Sequence, residues 1–169
     1  MRVVISDSSV LIDLAKAQLI ENTLALPYEF VIPDVIFADE LVDLKHYVKE
    51  QLIEFGFKIG SLKGEEVETA FEYGVRYKPL TANDCFALVL AETIAEAILL
   101  TGDGDLRKAA QRHKVETHGI IWLCEQMREC QTVDDQVLLV ALEALRDDPR
   151  CRIPKRELNR LIEQALLKL

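Results

Sequence analysis

The chain has 169 residues, half of them apolar and 29% charged, which is a one-domain length able to bury a core without disulfide or metal staples. No apolar run approaches the ~20 residues of a bilayer span, and Met1-Arg2 leads into only a few apolar residues before Asp7, without a secretory pattern, so a cytoplasmic protein without membrane contact is expected. The net charge of −9 argues against a protein that holds nucleic acid by a broadly basic surface, although from Ala144 onward seven Lys/Arg stand against four Asp/Glu.

The first element is an apolar run, Val3-Val4-Ile5, that ends on Asp7; it reads as a strand turning into a helix over Val10–Lys16, with Ser8 or Ser9 as the cap. A short helix over Leu19–Ala25 stops before Pro27, and Phe30–Ile32 is a strand bounded by Pro33. The stretch DVIFADELVDLKHYVKEQLIEFG has apolar residues at helical spacing and predicts one helix closed by Gly56. Phe57–Leu62 reads as a third strand, Gly64–Tyr73 as an amphipathic helix, Thr81–Glu96 as a strongly apolar helix and Ala97–Leu100 as a strand. A helix over Asp105–His113, a strand over Val115–His118 and three helices, Gly119–Cys130, Val133–Leu145 and Pro154–Lys168, complete the chain. Strands alternating with helices predict an α/β fold with right-handed crossovers and a mostly parallel sheet, whose ligand edge is at the carboxyl ends of the strands.

Two acids fall at that edge, Asp7 after the first strand and Asp103 after AILLT. A charge at the mouth of a core strand is costly, though Asp is also a common turn and cap residue there. Asp105 reads as the cap of the helix that begins at Leu106. Glu40 lies between Ile36 and Leu44 at helical spacing, near the buried stripe. Asp84 completes a capping-box-like start, Thr81-Ala82-Asn83-Asp84. The four cysteines, Cys85, Cys124, Cys130 and Cys151, lack metal-ligand spacing and read as core thiols. His46, His113 and His118 form no triad or HExxH pattern, and no glycine-rich phosphate loop is present. Trp122 reads as a core or interface anchor, and the last helix carries an apolar stripe, Leu158, Leu161, Ile162, Ala165 and Leu166.

The segments VVISDSSVLIDL, IPDVIFADEL, LTANDCFALVLAE, ILLTGDGDLRKAA and VETHGIIWL, in that order over about residues 1–125, resemble PIN domains of the VapC-type toxin ribonucleases. The resemblance implies a three-layer α/β/α sandwich with a central parallel sheet. It implies residues 1–130 as the nuclease domain; residues 131–169 depart from the family pattern and are expected to be a helical extension packed on the same domain through the apolar stripe of the last helix. It implies Asp7, Glu40, Asp84 and Asp103 as the catalytic acids, with Asp7, Asp84 and Asp103 as ligands of Mg²⁺ or Mn²⁺, and Ser9 and Asp105 as secondary residues. The implied activity is RNA phosphodiester hydrolysis, with the toxin role carrying an antitoxin protein as partner. Hard divalent cations suit clustered carboxylates. RNA-contact candidates are Arg107, Lys108, Arg112, Lys155, Arg156 and Arg160, each of which also reads as part of a solvated helix face. The alternative is a PIN-fold binding module with little or no nuclease activity. A homodimer through the last helix is a further expectation.

Overall fold

The computed structural model describes all 169 residues. In chain order the elements are β1 (Arg2–Ser6), α1 (Ser8–Lys16), α2 (Ile20–Leu24), β2 (Tyr28–Pro33), α3 (Asp34–Asp39), α4 (Lys49–Phe55), β3 (Lys58–Gly60), α5 (Glu65–Arg76), α6 (Ala82–Thr93), β4 (Ile98–Leu100), α7 (Gly104–Arg112), β5 (Glu116–His118), α8 (Ile120–Glu129), α9 (Asp135–Asp147) and α10 (Lys155–Leu166). The five strands form one sheet in the order β3-β2-β1-β4-β5, every neighbouring pair parallel. Val4 and Ile5 of β1 and Ile98, Leu99 and Leu100 of β4 are all buried. Strands so apolar need cover on both faces. α1, α2, α4 and α8 pack with one another on one face, and α5, α6 and α7 on the other, giving the α/β/α sandwich.

From β1 the chain steps outward to β2 and β3, then crosses back to β4 and β5 on the other side of β1. The reversal leaves a crevice at the carboxyl ends of β1 and β4, the position where open α/β sheets bind ligands. The amide of Asp7 donates to the Leu100 carbonyl at 3.0 Å, so the two strand ends are joined directly at that crevice. α9 packs on α1, and α10 packs along α9. Leu138, Leu142, Leu145, Leu158 and Leu161 join the same buried core as the sheet. No helix is long and apolar enough to cross a membrane.

Several elements depart from the sequence reading. The single helix expected from Asp34 to Phe55 is two, α3 and α4, separated by nine residues. Asp43 Oδ1 accepts from the Lys45 amide at 3.1 Å, and Lys45 takes a left-handed φ of 52°; an aspartate turn of this kind competes with helix. Leu41 and Leu44 are buried, whereas Val42 and Val48 point outward. Glu40 is therefore the carboxyl-terminal cap of α3, not a mid-helix residue. Asp7, not Ser8 or Ser9, caps α1. Asp103, not Asp105, caps α7, with Asp105 in the first turn. β1 ends one residue before Asp7 and β4 three residues before Asp103, and in each case the acid itself reaches the free amides of the helix that follows. Of the cysteines, Cys85 and Cys124 are core thiols, but Cys130 is exposed and Cys151 half-buried, all four free. Leu166 is exposed, the stripe of α10 ending at Ala165.

Candidate active site

Asp7 is only 4% exposed. Its Oδ1 accepts the amide of Val10 at 3.1 Å and the hydroxyl of Ser9 at 2.8 Å. Burial raises its carboxyl above the ordinary value; hydrogen bonds from the Thr101 hydroxyl, the Val10 amide and the Ser9 hydroxyl oppose that, and the charge of Asp84 adds to it. Glu40, half-buried at the end of α3, is raised for the same leading reason. The Ser8 hydroxyl and the Asn83 side chain hydrogen-bond to it, while the charges of Asp84 and Asp7 push it further up. Asp7, Glu40 and Asp84 thus share one electrostatic neighbourhood, supplied by β1, α3 and α6.

Asp84 enters through the capping box read from the sequence: its Oδ2 accepts the Thr81 amide at 2.9 Å, and Thr81 Oγ1 accepts the Asp84 amide at 3.1 Å. Asp103 lies across the crevice at the end of β4. Its Oδ1 accepts the amides of Asp105 at 2.8 Å and Leu106 at 2.9 Å, and its own amide donates to Thr101 Oγ1 at 3.0 Å. Thr101 is fully buried and links Asp103 to Asp7. Ser9 makes a second link, accepting the Gly102 amide at 3.3 Å. None of Asp7, Glu40, Asp84 or Asp103 has a Lys or Arg partner, whereas Asp105 pairs with Lys108 at 3.9 Å. No three of the acidic, His or Cys side chains stand close enough together to enclose a metal ion.

The basic candidates separate by position. Arg107 folds back so that Nη2 donates to the Thr101 carbonyl at 3.0 Å, which puts a guanidinium beside the crevice. Lys108 is exposed on the same helix. Arg112 is in the last turn of α7, about 13 Å along the helix from Asp103, with its guanidinium 5.7 Å from the Tyr77 ring centre. Arg160 is committed to Glu125 at 2.8 Å and Glu157 at 3.3 Å. Lys155 and Arg156 are exposed in the first turn of α10. Two histidines pack against aromatic rings and face a glutamate: His113 sits between Tyr73 and Tyr77 beside Glu92, and His118 stacks on half-buried Trp122 beside Glu116, whereas His46 is exposed. Sequence reasoning passed over Thr101, Ser8 and Asn83. Thr101 carried a signal, since a hydroxyl directly after a three-residue apolar strand is buried with it. Ser8 and Asn83 carried none beyond lying next to the acids.

A family model described as "DUF3368: PIN domain" matches residues 3–166 of the chain, α9 and all of α10 included. The structure of a PilT N-terminus domain protein from the hyperthermophilic archaeon Sulfolobus solfataricus superposes with a TM-score of 0.51 at 16% sequence identity, covering 74% of this chain and 92% of that one. At that identity the similarity is one of fold. No curated protein matches the chain. The parallel five-stranded sheet, the crevice at the β1/β4 reversal and the family match over nearly all of the sequence lead to one conclusion: the chain belongs to the PIN-domain family.

Proposed function

We propose that this PIN domain is a divalent-metal-dependent nuclease that hydrolyses RNA phosphodiester bonds at the crevice formed by Asp7, Glu40, Asp84 and Asp103. PIN domains are generally nucleases, which supports the reaction class. The observation that carries the reading is the charge imbalance. Asp7, Glu40 and Asp84 feel one another's charge, Asp103 caps α7 just past the neighbouring strand end, none of the four has a Lys or Arg partner, and Asp7 is 4% exposed. Uncompensated carboxylates cost stability, so counter-charge from outside the chain is called for.

The donor set suits Mg²⁺ or Mn²⁺, being oxygen only. Because no three side chains enclose an ion, Asp7 and Asp103 would hold it with water filling most positions, as Mg²⁺ prefers, and Asp84 would contribute directly or through water. When bound, the cation supplies positive charge to the transition state of an in-line displacement. The protein's own groups do the rest. Thr101 and Ser9 fix the Asp7 carboxylate. Glu40, raised by burial and its acidic neighbours, is suited to accept a proton from the attacking water. Arg107 places charge at the rim for the phosphate being cut.

The test is cleavage of single-stranded RNA by the purified protein with Mg²⁺ or Mn²⁺. Loss in chelator and a drop on the order of 100-fold in Asp7→Asn are expected; undiminished cleavage by Asp7→Asn overturns the mechanism. A second reading, a binding module of the same fold, rests on the open spacing of the acids, and RNA binding without cleavage under those conditions decides for it. The toxin role has its own test: growth arrest on expression, relieved by Asp7→Asn.

A further inference from the structure

Between the end of α1, the 40–48 segment and the loop joining α9 to α10 lies an open cavity of about 410 Å³. Its walls include Lys16, Lys45, Leu145, Asp148, Pro149 and Arg150. Asp148 stands between Lys16 Nζ at 3.2 Å and Arg150 Nε at 3.5 Å, so two cations share one carboxylate. Asp147 is taken by Arg146 at 3.0 Å. Lys45 is exposed and has no carboxylate partner. Arg152, Lys155 and Arg156, all exposed and without a carboxylate partner, follow in the same loop and the first turn of α10. Lys155 and Arg156 occupy the first helical turn, where a positive charge opposes the helix dipole. Folding has no use for them there. The cavity walls thus carry three cations, Lys16, Lys45 and Arg150, against two carboxylates, Asp147 and Asp148, each already paired, an excess of positive charge on a chain of net charge −9.

The cavity and the crevice lie along one helix. Asp13, midway along α1, feels the charges of both Asp148 and Asp7, and the nine residues of α1 span about 13 Å, the reach of a few nucleotides. The lining is mixed, with Ala144, Leu145 and Pro149 beside five charged side chains and no aromatic among them, so it offers charge for a hydrated phosphate and lacks the aromatic anchor of a protein partner.

We propose that this cavity is a phosphate-binding subsite, with Lys45 and Arg150 as its donors, that holds the backbone of single-stranded RNA a few nucleotides from the bond presented to Asp7. The subsite rests on the nuclease reading for its orientation. It also gives the last two helices a task, since Arg150 comes from the loop between them.

The experiment is a Lys45→Ala/Arg150→Gln double variant. Both side chains are exposed, so its melting temperature should match the parent's. Binding of a fluorescein-labelled oligouridine is followed by anisotropy in EDTA between 50 and 200 mM salt. Loss of about fivefold or more in affinity is expected, with the slope of log K against log salt shallower by about 1.4, two contacts at ~0.7 each. Lys45→Arg should bind as the parent does. Unchanged affinity and slope overturn the proposal, as does a parent protein that binds no RNA. A double variant that loses a polyglutamate peptide while keeping RNA overturns it in favour of an acidic protein partner. If the double variant loses RNA but the parent fails to cut it with Mn²⁺, the subsite stands and only the nuclease reading falls.

Discussion

The Ser9 hydroxyl donates to Asp7 Oδ1 at 2.8 Å and accepts the Gly102 amide at 3.3 Å, so one side chain fastens the end of β1 to the turn leaving β4. Ser9→Ala removes both bonds from a half-buried position. The expected cost is about 1 kcal/mol of stability, seen in urea denaturation, with a fall of about tenfold or more in RNA cleavage as Asp7 loses its fixed orientation. A variant with full activity would show that the link is structural alone.

Asp7→Asn should make the protein more stable while silencing it. The amide keeps an oxygen for the Val10 amide and the Ser9 hydroxyl, and a buried charge disappears from beside Asp84 and Glu40. A gain of about 0.5–2 kcal/mol is expected, or about 2–4 °C in melting temperature per kcal/mol for a chain of this size. Mg²⁺ should narrow the difference, stabilising the parent by about 2.7 kcal/mol at a hundredfold excess over Kd and the variant by much less. Calorimetry with and without EDTA reads both effects.

The same two residues set a pH dependence. Asp7 and Glu40 hold their protons more tightly folded than unfolded, mainly through burial. As pH falls from each folded value toward the ordinary 3.8 and 4.5, the metal-free fold gains stability relative to Asp7→Asn, so the advantage of that variant should shrink. Asp148 has the opposite sign. The Arg150 amide, then the Lys16 side chain, hold it down to about 2, so its contribution is complete above 3.8 and lost as pH falls from there to about 2. Stability of parent and variant, measured by denaturant between pH 2 and 8, tests both branches; an Asp7→Asn advantage that grows in acid contradicts the first.

Leu161→Ala should cost about 2–5 kcal/mol. The side chain is fully buried, and α10 packs on α9, which rests on α1. A loss that large from a residue so near the end of the chain, read by urea denaturation as one transition, would show that the last helices fold with the sheet; a separate early transition would show that they do not.

Much of this was legible in the sequence because it is local. The apolar runs of β1 and β4, the acid closing each, and the Thr81–Asp84 capping box depend on neighbours within four residues. What was not legible depends on partners far apart. The apolar spacing runs on past Glu40 as if one helix continued, but α3 ends at Asp39 and the Asp43 turn follows before helix resumes at Lys49. Thr101 was passed over because one of its two partners, Asp7, is adjacent to it only once β4 lies beside β1, although the other, Asp103, is two residues away. The pairing of Arg160 with Glu125 required α10 to fold back on α8.

The caps at Asp7 and Asp103, and the Asp84 arm of the Thr81 capping box, ask only for a short side chain with an acceptor oxygen, and Asn serves there much as Asp does. The architecture is therefore indifferent to the negative charge it carries at this edge. Three isosteric substitutions to Asn would yield a decoy with the same outline and the same basic cavity, relieved of its internal repulsion. On the proposed nuclease reading, such a decoy would occupy the RNA without cutting it, and would serve as an inhibitor of its own parent.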